Sequence, residues 1–569
     1  MDDRSTQCAT LELDTNADTN EGAGPCTSAV ALDFSAANLD ATIDRLGELL
    51  VEYENQLIPC GLHVIGEVPS LEERVDLLHA FQTAAEGATP SKADVHVLLA
   101  SEGPTGLPSG VAPAAPDGEP ESDDWRRTLL AMNRHLMSDA ELTGMVHALD
   151  GGYIAAVPGG DVLRNAETLP AGRNIHGFDP FRMPSAFAQR QGERAATRLL
   201  ERHRSDTGGW PRSIAFVLWG SDNLKNEGVP IAQALALMGA RPRFDAYGKI
   251  TGAALIPLEE LGRPRIDVMT TLSGVFRDLL PLQTRMLAEA ALLAAEADEP
   301  AELNFVRTNT LAHQAAHGGD FATAALRVFS NADGAYGANV NLLIDSGAWQ
   351  DESELADTYA NRKCYAFGAD GRPTRSPAML EAALADVDLA YQNLESVELG
   401  VTQLDYYFDT LGGINSMVRK ARGRSVPTYI GDQTQGAGTV RTLKEQVALE
   451  TRTRMLNPTW YEGQLKHGYE GVRTIETSIT NTLGWSATTG QVSPWVYNQM
   501  AQTYVLDPAM RERLAALNPT ASARMANRLI EASERNYWSP SDDVLQALQD
   551  AGDELEDRLE GVLPPGALA

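Results

Sequence analysis

The 569-residue sequence lacks the long apolar runs and the sorting signals that mark membrane-spanning and secreted proteins. No stretch reaches the ~18 consecutive apolar residues that a membrane helix requires. The first residues, Met1, Asp2, Asp3 and Arg4, include neither the basic nor the apolar region of a secretory signal. With an ordinary apolar fraction of 43%, the sequence predicts a cytoplasmic protein with true cores and no transmembrane segment.

Cysteine and lysine are both scarce. The cysteines form no CxxC pair and no spacing typical of zinc ligands, which favours ordinary reduced thiols. They are Cys8, Cys26, Cys60 and Cys364. The formal charge is −32, and only seven of the 46 basic residues are lysine. Because nucleic-acid binding needs a basic surface, this charge excludes it as a main role, and the acidic surface is interpreted as a solubility feature.

Standard nucleotide and hydrolase motifs are also missing. The sequence contains no GxxxxGK[ST] phosphate loop, no GxGxxG fingerprint after a strand, no GxSxG elbow and no HExxH pair. ATP hydrolysis and dinucleotide binding by these routes are therefore not expected. If the reaction needs ATP, a partner protein must supply the energy.

The apolar segments predict an α/β fold, multi-domain, with doubly wound, mostly parallel sheet units and large helical segments. Apolar runs of strand length lie at 213–219, 266–272 and 427–430, and helical stretches separate them. The loops after the first two runs, 220–223 and 273–278, occupy the positions where such sheets usually bind ligands.

Composition divides the chain into six segments. In order, they are a disordered leader (1–30), a helical or α/β segment (31–101), a flexible insert rich in proline, glycine and acid (102–124), an α/β domain (125–330), a mixed segment of loops and helices (331–425) and a mostly helical domain (426–569). No internal repeat of fixed period links these segments.

Several tracts are too particular to be generic. They are GRNIHGFDP at 172–180, VLWG at 217–220, RVFSN at 327–331, GAYG at 334–337, YYFDTLGG at 406–413, ETRTRMLNP at 450–458 and HGYEG at 467–471. From about residue 31 onward the chain resembles the large subunits of the class I chelatases, magnesium chelatase and aerobic cobaltochelatase. The tracts at 173–180 and 487–490 resemble the magnesium branch of bacteriochlorophyll biosynthesis more closely. The cobalt branch, which acts on a corrinoid, is the alternative.

The resemblance implies a function. In the magnesium branch, Mg²⁺ is a substrate that is inserted into protoporphyrin IX, and ATP is used by two AAA+ partners, a small ATPase and an intermediate subunit. Family members are considerably longer, and their N-terminal half includes a HGTHG stretch and a glutamate proposed to act in catalysis. This sequence lacks that half, so 31–101 is expected to continue a domain whose first part is missing, and activity is expected to need the missing half. A non-catalytic porphyrin-binding or regulatory fragment is a second alternative.

Porphyrin metalation requires a base, hard oxygen ligands for Mg²⁺, and an apolar cleft with arginine for the propionates. Combined with the resemblance, this chemistry selects as catalytic candidates His467, Glu450, His176 and Asp179. The substrate-binding candidates are Arg173, Asp432, Gln433, Arg452, Arg454, Asn457 and Tyr469. No metal ligands are assigned.

Most of these candidates have a structural alternative. His467 would equally suit a helix end, and Asp432 a turn. Glu450 and Arg454, four residues apart on one helix, would equally form a buried ion pair.

Two further groups of residues are interpreted as structural. His313 and His317 have the spacing of a transition-metal pair but lack a third ligand, so a helix-surface pair is favoured. Aromatic residues late in the chain would stack on a porphyrin, yet core or interface packing is favoured for them. They are Trp485, Trp495, Tyr497, Tyr504, Tyr537 and Trp538.

Overall fold

The computed structural model describes residues 64–84, 90–101, 124–157, 162, 166–173, 178–434 and 438–561. The leader 1–30, nearly all of the insert 102–124, and His176 lie outside these ranges, so the predictions for them stay predictions. Apart from residues 205–208, the described residues fall into one unit, Leu57–Arg204 and Gly209–Ala569. No helix within the described ranges is both long enough and apolar enough to cross a membrane.

The described strands form a large sheet and a small hairpin. In chain order they are β1 (Ser213–Leu218), β2 (Ala240–Phe244), β3 (Ile250–Leu255), β4 (Asp267–Leu272), β5 (Val328–Ser330), β6 (Tyr365–Phe367), β7 (Pro373–Arg375), β8 (Leu389–Leu394), β9 (Thr428–Asp432) and β10 (Thr439–Thr442). Strands β2 and β3 pair with each other, and the other eight form one sheet in the order β10-β9-β8-β1-β4-β5-β6-β7.

The centre of the large sheet is parallel and its edges are antiparallel. Strands β9, β8, β1, β4 and β5 run in one direction, whereas β10, β6 and β7 join by antiparallel pairing. From β1 the chain proceeds outward to β7, then returns to the other side of β1 and continues to β10. The strand order therefore reverses between β1 and β8, which makes this position a topological switch point.

Helices cover both faces of the large sheet. In chain order they are α1 (Leu71–Ala84), α2 (Lys92–Ala100), α3 (Asp124–Leu136), α4 (Ala140–Leu149), α5 (Ala186–Thr207), α6 (Gly220–Lys225), α7 (Val229–Met238), α8 (Leu258–Leu261), α9 (Gly274–Leu279), α10 (Pro281–Glu296), α11 (Phe305–His317), α12 (Phe321–Ala324), α13 (Val340–Ser346), α14 (Glu352–Lys363), α15 (Pro377–Ala385), α16 (Asp405–Tyr407), α17 (Gly413–Arg422), α18 (Leu443–Glu450), α19 (Pro458–Leu465), α20 (Tyr469–Thr489), α21 (Pro494–Met500), α22 (Pro508–Leu517), α23 (Pro519–Glu534) and α24 (Asp542–Glu560). Proline lies in the first turn of seven of them (α7, α10, α15, α19, α21, α22 and α23), where its missing N–H costs nothing.

Strand β1 contributes to a separate apolar core on each face of the sheet. Ala215 and Val217 pack into one core, while Ile214, Phe216 and Leu218 pack into the other. This alternation follows from the two-residue period of a strand, and all of β1 is buried. A parallel sheet covered on both faces is a doubly wound arrangement, so the predicted fold class is confirmed.

A smaller helical cluster lies earlier in the chain. Helices α1, α2 and α3 surround a core of their own that includes Val75, Val95 and Leu129. Arg74 Nε donates to Asn133 Oδ1 at 2.9 Å and links α1 to α3. This cluster contributes no strand to the large sheet.

Three strands of the large sheet match their predictions, whereas the central strand β8 was not predicted. The apolar runs at 213–219, 266–272 and 427–430 correspond to β1, β4 and β9, which confirms those three strands. Strand β8 was not predicted because Gln392 and Asn393 interrupt its apolar run, although both side chains are buried. The sheet consequently continues across the predicted boundaries after 330 and 425. The six-segment division stays a prediction.

Candidate active-site crevice

The carboxyl ends of the five parallel strands meet at one edge of the sheet. Backbone hydrogen bonds join the segments that leave this edge, from Ser273 N–H to the Leu218 oxygen at 3.0 Å and from Gln433 N–H to the Leu394 oxygen at 2.9 Å. Where strand order reverses, the connections run to opposite faces and leave a crevice outside the strand ends. We call the space between segments 219–223 and 395–407 the switch crevice.

Two aromatic rings form one wall of the switch crevice. The rings of Trp219 and Tyr407 lie 5.4 Å apart between centroids, inclined at 51°. Trp219 Nε1 donates to Gln392 Oε1 at 3.3 Å, which joins the wall to the neighbouring strand. Gln392 is fully buried, and its Nε2 has no hydrogen-bond partner among the described residues. The wall thus combines aromatic surface with a spare buried donor.

Three buried carboxylates act on Tyr407. Asp222, Glu395 and Glu450 are 5%, 1% and 2% exposed, respectively. Burial raises the pKa of Tyr407 well above its usual value, and the negative charge of these three carboxylates raises it further. Glu395 also raises the pKa of Tyr391, which burial already raises. The negative charge at this edge of the sheet favours cations and N–H donors.

Glu450 and Arg454 hold the loop that follows β8 instead of pairing directly with each other. The Glu450 carboxylate accepts the backbone N–H groups of Val401 at 2.8 Å and Thr402 at 2.9 Å, and also the Thr402 hydroxyl at 2.8 Å. Gln446 Nε2 donates to the same carboxylate at 2.9 Å. A Cβ on Gly400 would lie 2.5 Å from the Glu450 carboxyl carbon, so the close approach needs glycine.

The Arg454 guanidinium binds the same loop from its other side. It donates to the backbone oxygen of Glu398 at 2.8 Å, to Gln403 Oε1 at 2.9 Å, and to the backbone oxygen of Val397. Burial lowers the pKa of Arg454, while the nearby Glu450 and Asp432 raise it. The structure thus brings these three predicted residues together, with Glu450 and Arg454 anchoring segment 397–403.

Asp432 and Gln433 follow β9 at the same edge but make different contacts. Asp432 accepts the Thr434 N–H at 2.9 Å and the Thr434 hydroxyl at 2.6 Å, and it pairs with Arg441 at 2.9 Å. This pattern is a turn. Gln433 Oε1 accepts a hydrogen bond at 3.0 Å from Arg198 on α5. Arg198 was not among the predicted site residues.

A second loop at this edge, residues 331–341, is held by the buried side chains of Arg277, Lys363 and Asp409. Arg277 donates to three backbone oxygens of the loop at 2.6 to 3.2 Å. Lys363 Nζ donates to Asn331 Oδ1 at 2.8 Å, and Asp409 accepts three backbone N–H groups of the loop at 2.6 to 3.2 Å. These charges therefore fix the loop's backbone and are not free to bind a ligand.

Lys363 is expected to make stability depend on pH. Burial lowers its pKa from 10.5 to about 8, although Asp409 partly opposes this shift. Between those two pH values the unfolded chain binds more protons than the folded one, so unfolding becomes harder as pH rises from about 8 to 10.5. The wild-type protein should gain roughly 3 kcal/mol relative to Lys363→Met over this interval. Urea unfolding at several pH values measures the difference.

The control for this prediction is Lys420→Met, which removes a lysine whose side chain is 44% exposed. Its stability relative to the wild type should not change with pH in the same interval. Equal pH slopes for the wild type and Lys363→Met would contradict the prediction.

Two of the segments that resemble the chelatases contain π-helical turns. Phe408–Gly412 joins α16 to α17 and includes Asp409, and Thr451–Met455 follows α18 and includes Arg454. Such turns interrupt the regular α-helical ladder and occur frequently at functional sites. A third π-helical turn, Ala501–Leu506, follows α21 in the C-terminal region.

Four other predicted residues lie in or next to α19 and α20. His467 occupies the turn between α19 and α20, and Tyr469, at the start of α20, is 55% exposed. Asn457 caps α19 by accepting the N–H of Thr459 at 2.9 Å. The Arg452 guanidinium lies 4.3 Å from the centre of the Trp495 ring.

Arg173 and Asp179 make local contacts. The Arg173 guanidinium donates to three nearby backbone oxygens at 2.6 to 3.1 Å. Asp179 accepts the Phe181 N–H at 2.9 Å and caps the short 3₁₀ helix Pro180–Arg182. These contacts link neither residue to the crevice, so their predicted roles stay predictions.

Among the described residues, no group of three or more His, Cys, Asp or Glu side chains is arranged to hold a metal ion. The rings of His313 and His317 on α11 lie 4.6 Å apart between centroids. The late aromatic residues pack mainly into the core, and Trp485, Tyr497 and Tyr504 are at most 1% exposed.

Comparisons with known protein sequences indicate one family. A family model described as CobN/Magnesium Chelatase matches residues 5–102 and 111–545. The magnesium-chelatase H subunit of Rhodobacter capsulatus is 56% identical over 528 residues, which cover 92% of this chain and 40% of that protein. The magnesium-chelatase H subunit of Cereibacter sphaeroides is 55% identical over 529 residues, covering 93% of this chain and 41% of that protein.

A solved structure is similar over nearly the whole chain. The catalytic subunit of cobaltochelatase from Mycobacterium tuberculosis has a TM-score of 0.85 and 32% identity, covering 93% of this chain and 48% of that one. The chain thus spans two fifths to one half of the length of the proteins it matches. The matched family model extends over most of the sequence and includes the switch crevice. The chain belongs to the CobN/magnesium chelatase family.

Proposed function

We propose that this chain is the C-terminal, porphyrin-binding portion of a magnesium chelatase large subunit. In this proposal it acts in the cytoplasm, in the insertion of Mg²⁺ into protoporphyrin IX for (bacterio)chlorophyll biosynthesis in photosynthetic cells. The identity of 55–56% to magnesium-chelatase H subunits, against 32% to the cobaltochelatase subunit, favours the magnesium branch.

The observation that supports this function best is the chemistry of the switch crevice. An aromatic wall of Trp219 and Tyr407 suits a flat macrocycle, and the buried carboxylates beside it suit both pyrrole N–H groups and Mg²⁺. Insertion of the metal releases two pyrrole protons, which require a nearby base.

We assign the roles in this proposal by what each side chain contacts. Asp222 and Glu395 are the proposed proton acceptors, because both lie buried beside Tyr407. Glu450 and Arg454 are proposed positioning residues, since they hold the loop that follows Glu395. The remaining candidates are proposed to act outside the crevice, against the rest of the large subunit. They are His467, Tyr469, Asn457, Arg452, Arg173, His176 and Asp179.

The proposed partners follow from the chelatase resemblance. As that resemblance implies, ATP is proposed to be hydrolysed by two AAA+ partners, a small ATPase and an intermediate subunit, and the sequence of this chain contains no phosphate-loop motif of its own. The region of the H subunits that this chain does not match is proposed to complete the active site, either as a separate half or as part of a longer polypeptide.

Porphyrin binding is tested by tryptophan fluorescence. Deuteroporphyrin should quench the wild-type chain saturably, and Trp219→Phe should remove a substantial part of that quenching, because Trp219 lines the crevice. Trp125→Phe is the matched control, since Trp125 lies in the separate cluster of α1 to α3. Unsaturable quenching, or equal loss in both variants, would contradict binding at the crevice.

Metal insertion is tested by reconstitution. The chain is combined with the complementary N-terminal half, both AAA+ partners, ATP, Mg²⁺ and deuteroporphyrin, and the fluorescence of the magnesium porphyrin is followed. Metalation that depends on all components is expected. Porphyrin binding without metalation would favour the non-catalytic fragment. If Co²⁺ and a corrinoid replace Mg²⁺ and deuteroporphyrin, insertion of Co²⁺ would favour the cobalt branch.

A further inference from the structure

Arg198 on α5 is a partly buried arginine with no acidic partner among the described residues. Its Nη2 donates to the neutral amide oxygen of Gln433 at 3.0 Å. Its Nε is buried and has no hydrogen-bond partner among the described residues. Burial lowers the pKa of Arg198, Tyr391 opposes this shift, and the neighbouring Arg194 adds to it. A partly buried cation with no carboxylate beside it is costly, which indicates that an anion belongs there.

Two glutamine side chains add spare donors at the same place. Gln233 on α7 uses its oxygen to accept Asn393 Nδ2 at 3.1 Å, and Gln433 uses its oxygen to accept Arg198. The Nε2 atoms of both glutamines are buried without a partner among the described residues. Gln233 itself is 0% exposed. Unpaired buried donors are costly, so three of them together indicate a missing acceptor.

The backbone places these side chains on one side of the sheet. Tyr391 Oη donates to Asn393 Oδ1, and Asn393 in turn donates to Gln233. A Cβ on Gly431, two residues before Gln433, would stand 1.9 Å from Tyr391 Oη. Because alternate residues of a strand share a face, Gln433 and its partner Arg198 lie on the Tyr391 side together with Gln233. The cluster of Arg198, Gln233 and Gln433 thus lies at the carboxyl ends of β8 and β9, where Glu395 follows β8.

Gly438 packs closely against this cluster. A Cβ at this position would stand 2.8 Å from Gln433 Oε1 and 3.1 Å from Arg198 Nη2, and the residue has a φ of +83°. Any side chain would therefore lie against the guanidinium as well as strain the backbone.

We propose that Arg198, Gln233 and Gln433 form a carboxylate-binding subsite, and that its ligand is one propionate of the porphyrin. The proposal rests on the proposed function. A carboxylate has two oxygens that match a guanidinium fork and two amide donors. One cation with two neutral amides, close to Glu395, suits a singly charged anion better than a doubly charged phosphate. A propionate here would place the macrocycle edge beside Glu395.

The test compares deuteroporphyrin with its dimethyl ester, both titrated in one detergent buffer against the full chain by tryptophan quenching. The wild type should bind the diacid about 10- to 100-fold more tightly than the ester, as expected for a charge-assisted hydrogen-bonded pair. Arg198→Gln should abolish that preference without changing ester affinity. Arg198→Lys, which keeps the charge, should retain part of it. Arg194→Gln, an exposed arginine one turn earlier, should keep the preference within about twofold.

The outcomes separate the two proposals. A diacid preference that persists in Arg198→Gln, or a wild type that binds both porphyrins equally, would overturn the carboxylate subsite and leave porphyrin binding intact. Parallel loss of both affinities in Arg198→Gln would also overturn it, because that pattern indicates a structural role. If the wild type binds neither porphyrin, the proposed function fails and the subsite fails with it.

Discussion

Glu395→Gln is expected to lower the rate of Mg²⁺ insertion by about 10²- to 10⁴-fold in the reconstituted complex, the usual contribution of a positioned general base. Glutamine has nearly the same shape as glutamate but accepts no proton at neutral pH. Glu395 is 1% exposed, directly follows β8 at the switch point, and its charge raises the pKa of both Tyr391 and Tyr407. The measurement is the initial rate of magnesium porphyrin formation, together with porphyrin affinity from tryptophan quenching.

The expected signature is a loss in kcat with porphyrin affinity unchanged within about threefold, because the base acts on the reacting protons and not on the substrate's periphery. Asp222→Asn should show the same signature. The variant with the larger loss in kcat identifies the carboxylate that receives the protons. Glu398→Gln is the matched control, as it removes an exposed carboxylate three residues along the same loop. Wild-type rates in both Glu395→Gln and Asp222→Asn would remove the proposed bases.

The sheet was predictable where a strand contains a run of apolar and β-branched residues. Strands β1, β4 and β9 contain such runs, because both faces of the sheet are buried. Strand β8 has the same burial, but Tyr391, Gln392 and Asn393 place polar atoms in its middle. Those atoms are satisfied largely by distant side chains, Trp219 and Gln233 among them, which no local pattern reveals.

The sequence predicted where the site lies better than it predicted which residues form it. The segment 220–223 after β1, which contains Asp222, was identified from its position, although it forms the start of α6 and not the predicted loop. Glu395 was missed with β8, since a residue that follows an unrecognised strand cannot be placed at a sheet edge. The resemblance supplied Glu450 and Arg454, and the structure shows them bound to the backbone of segment 397–403.

Arginines illustrate why sequence alone does not identify a binding residue. Arg454 and Arg198 are equally plausible partners for a propionate by residue type. In the structure, the Arg454 donors bind Glu398, Gln403 and Val397, whereas Arg198 Nε has no hydrogen-bond partner within the described part of the chain. Which guanidinium is available depends on contacts across more than 50 residues of chain, a property of the fold and not of local spacing.

Glu450→Ala should destabilise the protein by about 3–5 kcal/mol, the usual cost of removing one partner from a buried charged network. The substitution leaves four donors without their acceptor. In the wild type, the N–H groups of Val401 and Thr402, the Thr402 hydroxyl and the Gln446 amide all lie within 2.9 Å of the carboxylate. It also leaves a cavity facing Gly400. Urea unfolding measures the free energy, and hydrogen exchange measures protection of the Val401 and Thr402 amides.

Hydrogen exchange is the more specific measurement, because anchoring of segment 397–403 by Glu450 predicts which backbone amides lose protection. In Glu450→Ala, amides of segment 397–403 should exchange through local opening and faster than those of β1, whose protection falls only with the global stability. Glu450→Gln should lie between the wild type and alanine, since one amide oxygen still accepts a backbone N–H but the amide nitrogen faces the other donor. Glu398→Gln, in the same loop and exposed, should change stability by less than about 0.5 kcal/mol. If Glu450→Ala leaves both stability and loop exchange unchanged, the carboxylate is not the anchor, and its role must be sought in direct contact with the substrate.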